Sequence, residues 1–111
     1  MALTQIPPVM IDGELGLDWQ SSVETSSFTA VNGNGYFVNT TSGSITVTMP
    51  SSPTTGDSIG IIDYAGTATS NTIILTSSNN IQGSSDDKIV NYTRGALRIT
   101  YADTTQGWVA S

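Results

Sequence analysis

Residues 36–64, YFVNTTSGSITVTMPSSPTTGDSIGIIDY, decide the fold. In residues 44–49, Ile45, Val47 and Met49 fall on one face and Thr46 and Thr48 on the other. That is the period of a β-strand with one buried side, because successive side chains leave a strand in opposite directions. Ser42-Gly43 marks the turn before this strand. Residues 50–57, PSSPTTGD, mark the turn after it, where two prolines withdraw backbone donors and Gly56 accepts a positive φ. A further strand opens at Ser58, with Ile59, Ile61 and Asp63 to one side and Ile62 and Tyr64 to the other. The stretch reads as a β-meander.

Working outward, turn signals recur about every 8–12 residues from Ser22 onward, the spacing of a sandwich or barrel. Asn32-Gly33-Asn34-Gly35 predicts a hairpin with a type I′ turn, joining residues 26–31, with Phe28 and Ala30 on one face, to residues 36–40. Residues 72–76 form a strand with Ile73 and Leu75 on one side. Ile81 anchors a single apolar contact, and residues 88–92 and 96–102 read as the next strand pair. In the second of these, Leu97, Ile99 and Tyr101 oppose Arg98 and Thr100. Residues 103–107 turn the chain before Trp108-Val109-Ala110. No helix-period segment occurs. The fold class expected is all-β, a small antiparallel β-sandwich of jelly-roll-like form with roughly seven to eight short strands.

The sandwich is assigned to residues 23–111 and an extended N-terminal arm to residues 1–22. Pro7-Pro8 enforces an extended backbone and removes two donors. Around the pair stand Leu3, Ile6, Val9, Met10 and Ile11, an apolar set with neither a helical nor a strand period. Leu3, Ile6, Pro7, Pro8, Val9, Met10 and Ile11 are therefore read as partner-docking residues, seated on a neighbouring subunit.

The chain of 111 residues contains neither cysteine nor histidine. Thiolate nucleophiles, imidazole bases, disulfides and the commonest zinc ligands are thereby excluded. The formal net charge is −6, and Lys88, Arg94 and Arg98 are its three cations. Such a balance argues against nucleic acid and against anionic membranes, which call for basic patches. No apolar run approaches the ~20 residues that span a bilayer. The N-terminus has no charged n-region followed by an apolar h-region, so synthesis in a host cytoplasm without a signal peptide is expected. The sequons at Asn39 and Asn91 read as coincidence in a threonine-rich chain.

Gly56-Asp57-Ser58-Ile59-Gly60 matches the G-x-S-x-G pattern of serine hydrolases. The hydrolase elbow runs strand, sharp turn, helix, whereas isoleucines of strand type follow Ser58. A serine nucleophile also needs a base, and the chain has no histidine. The stretch is read as a turn, with Gly56 at positive φ and Asp57 bonding its own backbone. Calcium takes roughly six to eight oxygens, usually from several carboxylates at fixed positions, and neither Asp12-Gly13-Glu14 nor Asp86-Asp87 offers that. No catalytic residue, metal site or cofactor is expected. Trp19, Tyr36, Tyr64, Tyr92, Tyr101 and Trp108 are dispersed, which suits core and interface filling better than a glycan platform.

Several of these runs together resemble a β-domain of tailed-phage virion proteins, especially those of cyanophages and other marine phages. The likeness lies in Tyr36-Phe37-Val38-Asn39-Thr40-Thr41-Ser42-Gly43 and Ile45-Thr46-Val47-Thr48-Met49-Pro50. It continues through Ser51-Ser52-Pro53, Gly56-Asp57 and Ile62-Asp63-Tyr64-Ala65-Gly66. It resumes at Ile81-Gln82-Gly83 and ends with Tyr101-Ala102-Asp103-Thr104-Thr105-Gln106-Gly107-Trp108. It covers roughly residue 23 to the C-terminus. Fibre proteins with this module are long, whereas this chain holds an arm and one module. The resemblance implies a capsid cement or decoration protein, non-enzymatic and homotrimeric, that binds the major capsid protein and bridges capsomers. A short tail fibre or fibre adaptor is the alternative it leaves, and a host-glycan attachment module is a third.

Overall fold

Nine strands organise the described residues, 16–110, of the computed structural model: β1 (Asp18–Trp19), β2 (Phe28–Thr29), β3 (Asn34–Val38), β4 (Ile45–Thr48), β5 (Ser58–Asp63), β6 (Ile73–Thr76), β7 (Lys88–Val90), β8 (Ala96–Asp103) and β9 (Gly107–Ala110). The predicted docking residues Leu3, Ile6, Pro7, Pro8, Val9, Met10 and Ile11 lie outside the described residues. Of the segment read as an arm, the described part enters a sheet as β1, whose Asp18 amide donates to the Gly33 carbonyl at 2.8 Å.

The all-β expectation holds, and the strands form two sheets. One has the order β9-β8-β5-β3-β1 and the other β2-β4-β6-β7. The expected meander does not form. From β1 to β6 the chain alternates between the sheets, so β1, β3 and β5 run parallel in one and β2, β4 and β6 run parallel in the other. The result is a short two-sided coil rather than a stack of hairpins. After β6 the chain reverses. β7 lies antiparallel to β6, β8 crosses over to lie antiparallel to β5, and β9 completes a hairpin with β8. The sheets are therefore mixed, and the expected purely antiparallel pairing is not formed. Residues 88–92 and 96–102, read as a pair, stand in different sheets.

Turn chemistry explains why alternation alone misreads the connectivity. A type I′ hairpin needs positive φ at both central residues. Only Gly33 has it, at 88°, while Asn32 does not. The Asn34 amide closes the turn onto the Val31 carbonyl at 3.1 Å, and the chain leaves for the other sheet. Asn32 is held instead by accepting the Ser58 amide on Oδ1 at 2.9 Å. Around residues 54–57 the local reading holds. Gly56 has φ 96°, the Asp57 amide donates to the Thr54 carbonyl, and Asp57 Oδ2 accepts the Thr54 amide at 2.9 Å.

The core fills the space between the sheets with the side chains that alternation had assigned inward. Ile45, Val47 and Met49 meet Ile59, Ile61 and Ile73, all at most 2% exposed. Trp108 is fully buried and meets Tyr101 edge-on, with centroids 5.5 Å apart. Burying a side chain of this size contributes on the order of 1.5–3 kcal/mol, so this layer carries the fold's stability.

Candidate docking face

Strand β5 stands at the centre of its five-stranded sheet and is buried on both faces over most of its length. On the inner side it is covered by the core. On the outer side its residues are Gly60 and Ile62, and the cover comes from residues just before and within β1. Register sets Gly35 of β3 beside Gly60 of β5. Two adjacent glycines leave a flat floor, and the Trp19 indole lies on it: a Cβ placed on Gly35 would come 2.5 Å from the ring. A Cβ on Gly60 would come 2.5 Å from Leu17 Cδ1 and 3.0 Å from Trp19 Cη2. Trp19 also packs against Phe37, with centroids 5.2 Å apart and planes tilted by 39°.

Beyond this ring the face opens into a concavity of about 410 Å³ lined by Gly16, Leu17, Trp19, Ile62, Ala96, Leu97 and Arg98. Trp19 remains 40% exposed. An apolar hollow with a half-exposed tryptophan and a guanidinium on its wall has the composition of an interface anchor, since Trp, Tyr and Arg dominate such sites.

A second set of exposed aromatic side chains stands where β5 ends and β8 begins. Tyr64 and Tyr92 are 49% and 52% exposed. Between them the Arg94 guanidinium donates to the Tyr64 carbonyl and covers Gly66. Beneath these loops the buried Asp63 carboxylate accepts the backbone amides of Thr67, Ala68 and Arg94 at 3.3, 3.2 and 3.0 Å.

The dispersed aromatic residues thus divide: Tyr36, Tyr101 and Trp108 are core, and Trp19, Tyr64 and Tyr92 are surface. Ser58 opens a strand and is 7% exposed. Its hydroxyl pairs with Thr100 Oγ1 at 2.9 Å and donates to the Gly56 carbonyl at 3.3 Å, so its hydrogen-bonding capacity is spent on the fold. Among the described residues no group of three or more carboxylates gathers in metal-binding geometry. Asp86 and Asp87 stand on an exposed loop, while Asp12 and Glu14 lie outside the described residues.

Leu17 and Trp19 were not among the residues predicted to dock. The one signal in the sequence was Gly60, inside the strand pattern that opens at Ser58, since a glycine there marks a close approach by another group, whereas Gly35 reads as part of a turn. Compared with protein-family models and with curated proteins, the chain matches none.

Proposed function

We propose that this chain is a non-enzymatic structural protein of a tailed-phage virion, a decoration protein that binds the outer capsid lattice and stabilises the shell by bridging capsomers. The observation that carries the reading is the Trp19 face. It offers an open apolar hollow at the point where Gly16 continues from a run containing Leu3, Ile6, Pro7, Pro8, Val9, Met10 and Ile11. The other sheet presents Thr29, Thr48 and Thr76 in one cross-strand row on its outer side, a neutral surface suited to close neighbours. Weak contacts of this kind gain strength by repetition over a symmetric lattice, and a homotrimer at a local symmetry axis would multiply them.

The test is copy number per virion, measured against the major capsid protein. Hundreds of copies, on the order of one per capsid subunit, accord with lattice binding. A few tens or fewer would overturn it. A low count would favour the second reading, a tail-associated fibre or glycan-binding attachment module, for which exposed Tyr64 and Tyr92 beside Arg94 are the relevant surface.

A further inference from the structure

We propose that Asn32-Gly33 is a latent deamidation site, held closed by Ser58 in the folded chain and opened when this end of β5 parts from the turn. The sequence places two Asn-Gly pairs side by side, Asn32-Gly33 and Asn34-Gly35. Such a pair is prone to deamidation because glycine has no side chain to obstruct attack by its own nitrogen. The Gly33 backbone nitrogen gives up its proton and bonds to Asn32 Cγ. The Cγ–Nδ2 bond breaks, and Nδ2 leaves as ammonia with that proton. Water then opens one of the two carbonyl–nitrogen bonds of the cyclic imide. The product is aspartate or isoaspartate, and either adds a negative charge.

Exposure alone would leave Asn32 reactive, since the residue stands in solvent. Two hydrogen bonds oppose the reaction. The Ser58 amide donates to Asn32 Oδ1 at 2.9 Å, and the Gly33 amide donates to the Ser58 carbonyl at 2.8 Å. The group to be attacked and the attacking nitrogen are thus both tied to one residue, the first of β5. One tie fixes the side-chain amide, and the other occupies the N–H that must be lost. Cyclisation brings Asn32 Cγ and Gly33 N to bonding distance, which neither tie permits. The ties lie at the end of a strand, where local opening costs less than in the middle of a sheet.

Asn34-Gly35 is closed by other means. Gly35 is buried within β3 beneath the Trp19 indole, and Asn34 Nδ2 donates to the Tyr36 hydroxyl at 3.2 Å. This pair opens only when β3 leaves its sheet. The two pairs therefore respond to different events, and Asn32 is the one modified first. The change is one-way. Isoaspartate lengthens the backbone ahead of Gly33 by a methylene, so the two ties to Ser58 cannot both re-form.

The test follows modification of the full-length chain at mildly alkaline pH over a urea series. Chymotryptic cuts after Phe28 and Tyr36 release a peptide carrying both pairs, and fragmentation in the mass spectrometer separates Asn32 from Asn34. Hydrogen exchange of the Gly33 amide is measured at the same urea concentrations. Without urea, Asn32 should be modified at least about tenfold more slowly than in the fully unfolded chain. Below the unfolding transition its rate should rise in step with Gly33 exchange and ahead of Asn34. A folded-state rate within about twofold of the unfolded one would overturn the proposal, because the ties would then gate nothing. So would Asn34 reacting first, or both pairs reacting together only at global unfolding, which would leave Ser58 no part of its own.

Discussion

The carboxylate of Asp63 accepts the backbone amide of Arg94 at 3.0 Å from a position 1% exposed. Arg94 has φ 58°, a left-handed conformation that costs a non-glycine residue roughly 1–2 kcal/mol. A charged acceptor repays that cost, because hydrogen bonds to a carboxylate are stronger than those between neutral groups. The same carboxylate takes the amides of Thr67 and Ala68, and the Asp63 amide donates to the Gly95 carbonyl at 2.8 Å. One side chain thus fixes two loops and holds Tyr64, Tyr92 and Arg94 at the surface.

Asp63→Ala leaves three amides without their acceptor. With each unsatisfied buried donor costing about 1–3 kcal/mol, and part of that recovered by water entering the loops, the expected loss is roughly 3 kcal/mol. Urea unfolding measures it. Hydrogen exchange should show residues 64–71 and 91–95 losing protection before β4 and β6 do. An unchanged urea midpoint would show that the loops hold themselves.

Gly35→Ala should displace Trp19, since the new methyl would stand 2.5 Å from the indole. Expected is a loss of about 1 kcal/mol together with a shift in Trp19 emission, the ring being free to swing outward. On a Trp19→Ala background the sign should reverse. With the ring gone, replacing a strand glycine by alanine gains roughly 0.5–1 kcal/mol. A double-mutant cycle by thermal unfolding reads both, and simple additivity would deny that the glycine exists to seat the tryptophan.

The faces of the strands were legible in the sequence, while their connections were not. Ile45, Val47 and Met49 point inward as alternation requires, and so do Ile59, Ile61, Ile73 and Leu75. Alternation is silent about direction, because a parallel and an antiparallel neighbour present the same face. Asn32-Gly33 carried a hairpin signal, yet Asn32 Oδ1 is occupied by the Ser58 amide and the turn passes the chain across to the other sheet. That bond links residues 26 positions apart, beyond the reach of a local rule. Leu17 and Trp19 were hidden for a related reason: their role follows from the Gly35–Gly60 register, a tertiary fact.

Ser58→Ala removes a hydroxyl that pairs with Thr100 and Gly56 inside the sheet. The expected effect is a loss of about 1 kcal/mol in unfolding free energy, the usual net value of such a bond. Hydrolysis of short-chain ester substrates should be the same for both proteins. Turnover present in the natural chain and lost in the variant would return the G-x-S-x-G stretch to consideration as a catalytic element.

Two glycines with the same backbone requirement separate strain from collision. Gly33 and Gly107 both have positive φ, 88° and 69°. Nothing lies within 4 Å of a Cβ built on Gly33, so Gly33→Ala should cost only the left-handed penalty, about 1 kcal/mol. A Cβ on Gly107 would come 1.8 Å from the Asn80 carbonyl oxygen. That oxygen also accepts the Trp108 amide at 2.8 Å, so it cannot withdraw without breaking the link that positions the largest core side chain. Gly107→Ala should therefore cost more than about 3 kcal/mol, in the range that follows from disrupting backbone and core together. Thermal unfolding of the two variants side by side tests the difference. Equal losses would mean that the turn at Gly107 can move away from Asn80, and that Trp108 is held by packing alone.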